Sequence, residues 1–367
     1  MAEASVAVNL LWCVPGDVGG SEEYLVRQLL GLAELESPWR PTLFVVEGFT
    51  TAHPRLSEVF PTVSASFDGR VRPRRIAGET TWFRRRARTA ALRHHGGGVA
   101  PLAAARPYVL TIHDLQYRAY PEHFSRTKRS YFDLMIGRSA RGAAVIAVPS
   151  EFVRTSVIDA YGIDPERVMV VPHGVEPQLA GDVTDAATLR QRYQLGDGPV
   201  LVYPAVTHPH KNHRFLVELM AESWREPDLR LVLIGGVGSA EATVDGSQDQ
   251  RIRRLGRVPA ADRNGLLSLA EAMVFPSRYE GFGAPLIEAM SLRCPVIASD
   301  ATCIPSIVGD AAVTLPLRGE AWADALDVVR RDRQSLIDAG LERAKRFTAR
   351  ASGEALAAVY TAALERP

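Results

Sequence analysis

The stretch AMVFPSRYEGFGAPLIEAM, Ala272 to Met290, decides the fold class. It opens on the apolar run AMVF, turns through Pro276 to Gly283, and resumes as APLIEAM. Pro285 suits the first turn of a helix, where its missing N–H costs nothing. A continuous apolar strand feeding a helix is the unit of a parallel sheet covered on both faces.

The same unit recurs along the chain. SVAVNLLWCV precedes SEEYLVRQLLGLAEL, and PTLFVVEG, PYVLTIHD, AAVIAVPS and VMVVPHG follow. A second series contains PVLVYPAV, LRLVLIGG, AMVFPS, PVIASD and AAVTLP. Between Val171 and Val183 the rhythm breaks in a segment rich in Pro and Gly. The pattern predicts two α/β units, residues 1–175 and 176–350, with a cleft between them. The terminal segment 351–367 reads as a helix that either caps the second unit or returns to the first. A length of 367 residues agrees with two units, since single cores stop growing at about 250–300 residues.

Composition narrows the class. The chain is 46% hydrophobic and 23% charged with net charge +1, a globular profile with no global attraction to nucleic acid. No apolar run reaches the roughly 18 residues of a membrane span. The opening MAEASVAVNLLWCV carries neither the basic region nor the cleavage site of a signal peptide. Three cysteines, Cys13, Cys294 and Cys303, form no CxxC pair, as expected of reduced thiols in a cytoplasm. The expected location is therefore cytoplasmic.

Within the opening stretch, Gly281-Phe282-Gly283 lies at a helix N-terminus. Free backbone N–H groups and the positive end of the helix dipole favour anions and hydroxyl oxygens there. Glu288 stands about one turn inside the helix, where its carboxylate is suited to accept hydrogen bonds from two adjacent hydroxyls of a ribose or hexose. Glu280 precedes the turn. The plainer reading is a capped helix with exposed glutamates.

EGFGAPLIE resembles the E-x7-E motif of the retaining, nucleotide-sugar-dependent GT4 glycosyltransferases. The likeness continues through VTHPHKNHRFL, LIGG, RRLGRVPAADRNGLLSLAEAMVFPS and PVIASDATCIPSIVGDAAV. Upstream it includes GGSEEY, TIHDL and AVPSEFVRTSVIDAYGIDPERVMVVPHGVEP, and it is weakest between about Thr50 and Ala105. The resemblance implies a GT-B fold: two Rossmann-like, doubly wound parallel-sheet domains, the first for acceptor and the second for donor. It implies that Lys211 binds the donor diphosphate and that Glu288 holds the ribose. Glu280 and the amides of Gly281, Phe282 and Gly283 would hold the hexose. Val258 would meet the base through its backbone, and Gly19 and Gly20 would let backbone reach the phosphates. His113 would lie near the reacting hexose. It further implies no metal and no cofactor beyond the nucleoside-diphosphate sugar, with mannose preferred as the hexose. Many relatives carry an arginine where this chain has Ala205; Arg214 and Arg278 are the candidates to replace its charge. His208, His210 and His213 match no zinc spacing.

Nine arginines lie between Arg70 and Arg93 against one acid, Glu79. This tract reads either as a solvated face or as a contact with an anionic acceptor or the inner face of a membrane; no nucleic-acid module surrounds it. Partners are thus a nucleotide-sugar donor and a glycan, lipid-linked or small-molecule acceptor. The competing functions are a non-catalytic sugar-nucleotide-binding protein on this fold and an NAD-dependent oxidoreductase. The latter lacks GxGxxG after the first strand.

Overall fold

A computed structural model describes residues 3–16, 19–175, 179 and 181–366. The chain forms two compact units, Met1–Gly174 together with Thr348–Pro367, and Val175–Phe347.

Among the described residues, unit 1 carries a seven-stranded parallel sheet. Its strands are β1 (Ala4–Asn9), β2 (Trp39–Val45), β3 (Thr62–Ser64), β4 (Leu92–His95), β5 (Tyr108–Thr111), β6 (Val145–Val148) and β7 (Val168–Val170). They lie in the order β3-β2-β1-β4-β5-β6-β7. Side chains alternate across a strand. Val6 and Val8 of β1 accordingly enter one core with Tyr24, Leu25 and Leu29 of helix Gly20–Ala33, while Ala7 enters another with Phe44 and Phe83.

The closing helix, Ala349–Glu365, belongs to unit 1. Leu356, Val359 and Tyr360 join the core around β1. It packs backbone to backbone on helix Gly20–Ala33 through two glycines. A Cβ on Gly31 would stand 1.7 Å from Ala349 O, and one on Gly353 would stand 2.2 Å from Gly31 C. Only the missing side chains permit that approach.

Unit 2 carries, among the described residues, a six-stranded parallel sheet. Its strands are β8 (Val200–Pro204), β9 (Arg230–Ile234), β10 (Ile252–Gly256), β11 (Ala272–Phe275), β12 (Val296–Ser299) and β13 (Val313–Leu315). The order is β10-β9-β8-β11-β12-β13. The inner strands β11 and β12 are buried along their whole length, whereas the edge strands β10 and β13 are half-exposed. The near-continuous apolar sequences of β11 and β12 follow from cover on both faces.

The basic tract is not one uniform surface. Residues Arg72–Gly78, Glu79–Phe83 and Arg84–Arg86 run as consecutive helical segments, the middle one a π-turn. Arg93, expected with the exposed arginines, is buried instead. Its guanidinium donates to Ala87 O at 3.0 Å and Arg88 O at 2.8 Å, closing the end of the tract. Among the described residues no helix is long and apolar enough to cross a membrane.

Candidate active site

Strand order locates the candidate site of unit 2. The chain winds from β8 outward to β10, then returns to β11 on the other side of β8. In a doubly wound sheet the connections after two such strands leave toward opposite faces. A crevice opens beyond their carboxyl ends. The loop after β8 carries Lys211 and the loop after β11 carries Glu280.

These loops are laced together. After β8 the chain makes a short turn, Pro209–Lys211, and enters helix His213–Glu222 through Asn212 at φ 58°. Asn is among the residues that tolerate this left-handed region. The buried phenol of Tyr203 donates to Lys211 O at 2.7 Å and shares a 3.0 Å hydrogen bond with Ser277 Oγ. Arg278 N donates to His210 O at 2.7 Å. Lys211 Nζ then reaches Glu280 Oε1 at 2.6 Å, with side chains 21% and 10% exposed. Such a desolvated pair is strongly orienting.

The loop after β12 holds Glu280 from behind. Thr302 Oγ1 accepts from Glu280 N at 3.1 Å, and the Cys303 thiol donates to Glu280 O at 3.2 Å. Burial, with the Glu280 charge second, pushes the Cys303 thiol well up, so it remains a donor. Gly283, at φ 84°, ends the turn and starts helix Ala284–Ser291, with Pro285 in its first turn. Phe282 is buried edge-on to Phe347, ring centroids 5.5 Å apart. Glu288 is also buried, and its Oε2 lies 4.0 Å from the Arg263 guanidinium. Val258 stands half-buried just after β10, along the same carboxyl edge.

A second brace joins the loops after β8 and β9 to strand β10. Arg254 donates to Glu241 Oε1 at 2.8 Å and to Gly235 O at 2.8 Å. Thr207 donates to the other Glu241 oxygen and accepts from Gly238 N at 2.7 Å. The Arg254 hydrogen bond is the main cause that holds the Glu241 carboxyl at about 2.

Ala205 is buried at the end of β8. Of the two candidates to replace an arginine there, Arg214 is tied to Glu218 at 2.7 Å on the exposed face of its own helix. The Arg278 side chain is exposed on the loop that its backbone pins to His210. His208 and His210 stack at 5.8 Å, while His213 is buried against Tyr203 at 4.7 Å. No group of three metal-ligating side chains occurs among the described residues.

In unit 1 the corresponding edge gathers His113, Gly19 and Gly20. His113 lies two residues past β5, and its Nε2 donates to Gly96 O at 2.8 Å, just past β4. Burial holds its imidazole at about 4, so the ring is neutral near pH 7 and Nδ1 is left as the acceptor. The Tyr24 ring meets His113 edge-on at 5.5 Å, and Trp12 lies 5.7 Å away. Tyr24 belongs to the helix that Gly19 and Gly20 begin. Gly19, at φ 71°, accepts from Glu22 N at 2.9 Å.

The structure thus brings Lys211 and Glu280 into direct contact and sets Gly281 to Gly283 and Glu288 on the adjoining loop and helix. Tyr203, Ser277, Thr302, Cys303 and the Thr207–Glu241–Arg254 brace escape sequence reasoning. They act across large sequence separations, and nothing in their local pattern marks them.

Two matches to known families divide along these units. Residues 198–332 match the family described as glycosyl transferases group 1, and residues 18–179 match Glycosyltransferase Family 4. The chain is a GT4-like member of the group 1 glycosyltransferases. The O-antigen chain mannosyltransferase B of Escherichia coli is 30% identical to this GT4-like chain over 213 residues, 56% of each protein. A D-inositol 3-phosphate glycosyltransferase of Corynebacterium glutamicum is 29% identical over 242 residues, 60% of this chain and 58% of that protein. The matches span a little over half the length of these curated relatives. The crystal structure of Anabaena HepE with UDP and glucose superimposes with TM-score 0.75 at 20% identity, covering 98% of this chain and all of that one. With two Rossmann-like parallel-sheet units, the GT4-like chain has the GT-B fold.

Proposed function

We propose that the protein is a retaining glycosyltransferase that moves a hexose from a nucleoside-diphosphate sugar to a glycan, lipid-linked or small-molecule acceptor. The Lys211–Glu280 pair at the switch point of unit 2, beside the Gly283 helix start, carries this reading. The UDP and glucose in the HepE structure support a nucleoside-diphosphate hexose as donor. The mannosyltransferase relative supports mannose as the hexose. The inositol-phosphate relative supports an anionic small acceptor as one member of the acceptor class.

Each proposed role follows from the chemistry of its group. Lys211 Nζ exchanges Glu280 for the diphosphate and stabilises charge that grows there as the glycosidic bond breaks. Glu280 then accepts hydrogen bonds from hexose hydroxyls, alongside the amides of Gly281, Phe282 and Gly283. Glu288 accepts from the ribose, and the Val258 backbone meets the base. Gly19 and Gly20 offer backbone to the phosphates. Neutral His113 serves the reacting hexose, its orientation set by Gly96. The bond from the anomeric carbon to the leaving phosphate oxygen breaks. The acceptor oxygen bonds that carbon from the same face, and its proton passes to the leaving diphosphate. The protein contributes orientation and charge stabilisation, with no enzymic nucleophile.

A thermal-shift screen of nucleoside-diphosphate sugars, followed by product analysis with the stabilising donor, tests the reading. The expected product has the donor's anomeric configuration. An inverted product would overturn retention, and stabilisation by no sugar nucleotide would overturn the donor assignment.

A further inference from the structure

We propose that unit 1 docks on an anionic lipid bilayer through a face built from residues 70–88, the loop 99–105 and helix Arg126–Gly142. Three contacts make these segments one continuous surface. The Arg72 guanidinium lies 4.4 Å over the Tyr131 ring, joining the tract to helix Arg126–Gly142. Arg138 of that helix donates to Leu102 O at 3.1 Å and Ala100 O at 2.8 Å, joining it to the loop. Arg84 borders one small cavity with Ala103, Ala104 and Ala105, joining the loop back to the tract.

The face has two properties that suit a membrane surface together. Its charge is strongly positive: Arg74, Arg84, Arg85 and Arg88 are exposed, and no acid among the described residues pairs with them. It also exposes aliphatic side chains. Leu134 is 70% exposed, Leu102 67%, and Val71 and Ile76 38% each. Leu134 follows Tyr131 by three residues and precedes Arg138 by four, so helical spacing puts it on the stripe that meets Arg72 and Leu102. Arginines interleaved with protruding aliphatics match a layer of anionic headgroups over an acyl boundary. A soluble anion would engage the charges and leave the leucines unserved. Trp82 anchors the tract to the rest of unit 1. It meets Phe44 and Phe67 edge-on and carries the Arg86 guanidinium 5.1 Å over its ring.

Co-sedimentation of the full chain with vesicles tests the proposal. Wild type should pellet with phosphatidylglycerol-containing vesicles and not with pure phosphatidylcholine, and added salt should weaken the binding. The variant R84S/R85S/R88S should lose on the order of tenfold or more in vesicle affinity. The variant L102S/L134S should bind at low salt but release at a lower salt concentration than wild type. Both should melt with wild type, since these side chains are exposed. Wild type that ignores anionic vesicles at low salt would overturn the proposal. So would two variants that bind as wild type, or arginine-dependent retention by duplex DNA with none by vesicles.

Discussion

Removal of Lys211 should strand Glu280. The two side chains meet at 2.6 Å, and Glu280 is only 10% exposed, with its backbone pinned by Thr302 and Cys303. The carboxylate therefore cannot swing out to water. Breaking a fully buried pair by deleting one partner costs about 3–5 kcal/mol. Lys211 is 21% exposed, so water entering the vacated space should reduce the cost of Lys211→Ala to about 2 kcal/mol. For a unit of this size that corresponds to a fall in melting temperature of about 4–8 °C. Glu280→Gln in the same chain removes the stranded charge, so K211A/E280Q should recover part of the loss. The double-mutant cycle should show a coupling of about 1–2 kcal/mol. Thermal and urea unfolding of the four proteins measure it. If Lys211→Ala melts with wild type, or if the two changes add without coupling, the pair does not hold the loops as described.

Glu288→Ala should weaken nucleotide-sugar binding on the order of tenfold or more, since each bond to a charged acceptor contributes about 1.5–3 kcal/mol; calorimetric titration showing unchanged affinity in a folded variant would remove Glu288 from the ribose site. EDTA should leave transfer activity intact, and loss on chelation with recovery on adding a divalent metal would contradict the metal-free mechanism. Burial holds the Glu79 carboxyl up at about 7, against opposing pulls from Arg75 and Asn9. The folded state therefore binds this proton more readily than the unfolded state, and the Glu79 contribution to stability falls as pH rises from about 4.5 to 7. Glu79→Gln should remove that fall, stabilising the protein above pH 7 by up to roughly 3 kcal/mol relative to its effect at acid pH. Melting curves of the two proteins that keep a constant separation across this range would refute it.

The parallel α/β class was legible in the sequence, because continuous apolar strands and helical periods are local patterns that burial on both faces imposes. The sequence also marked Glu280, Gly281 to Gly283 and Glu288, because a strand, a glycine turn and a helix start are contiguous in the chain, and Lys211 through the family resemblance of VTHPHKNHRFL. Strand order belongs to the tertiary structure: the same alternation of strands and helices permits several windings, and only the observed one puts β8 beside β11. That adjacency brings Lys211 to Glu280 across 69 positions and lets Tyr203 tie the two loops. The closing helix was legible as a helix, yet its place on unit 1 rests on the facing glycines Gly31 and Gly353, a fit between two surfaces. Arg93 looked like the other eight arginines of the tract in charge and spacing. Only the fold supplies the carbonyls of Ala87 and Arg88 that make burying its guanidinium favourable, because a hydrogen-bond partner is set by position in space and not by distance along the chain.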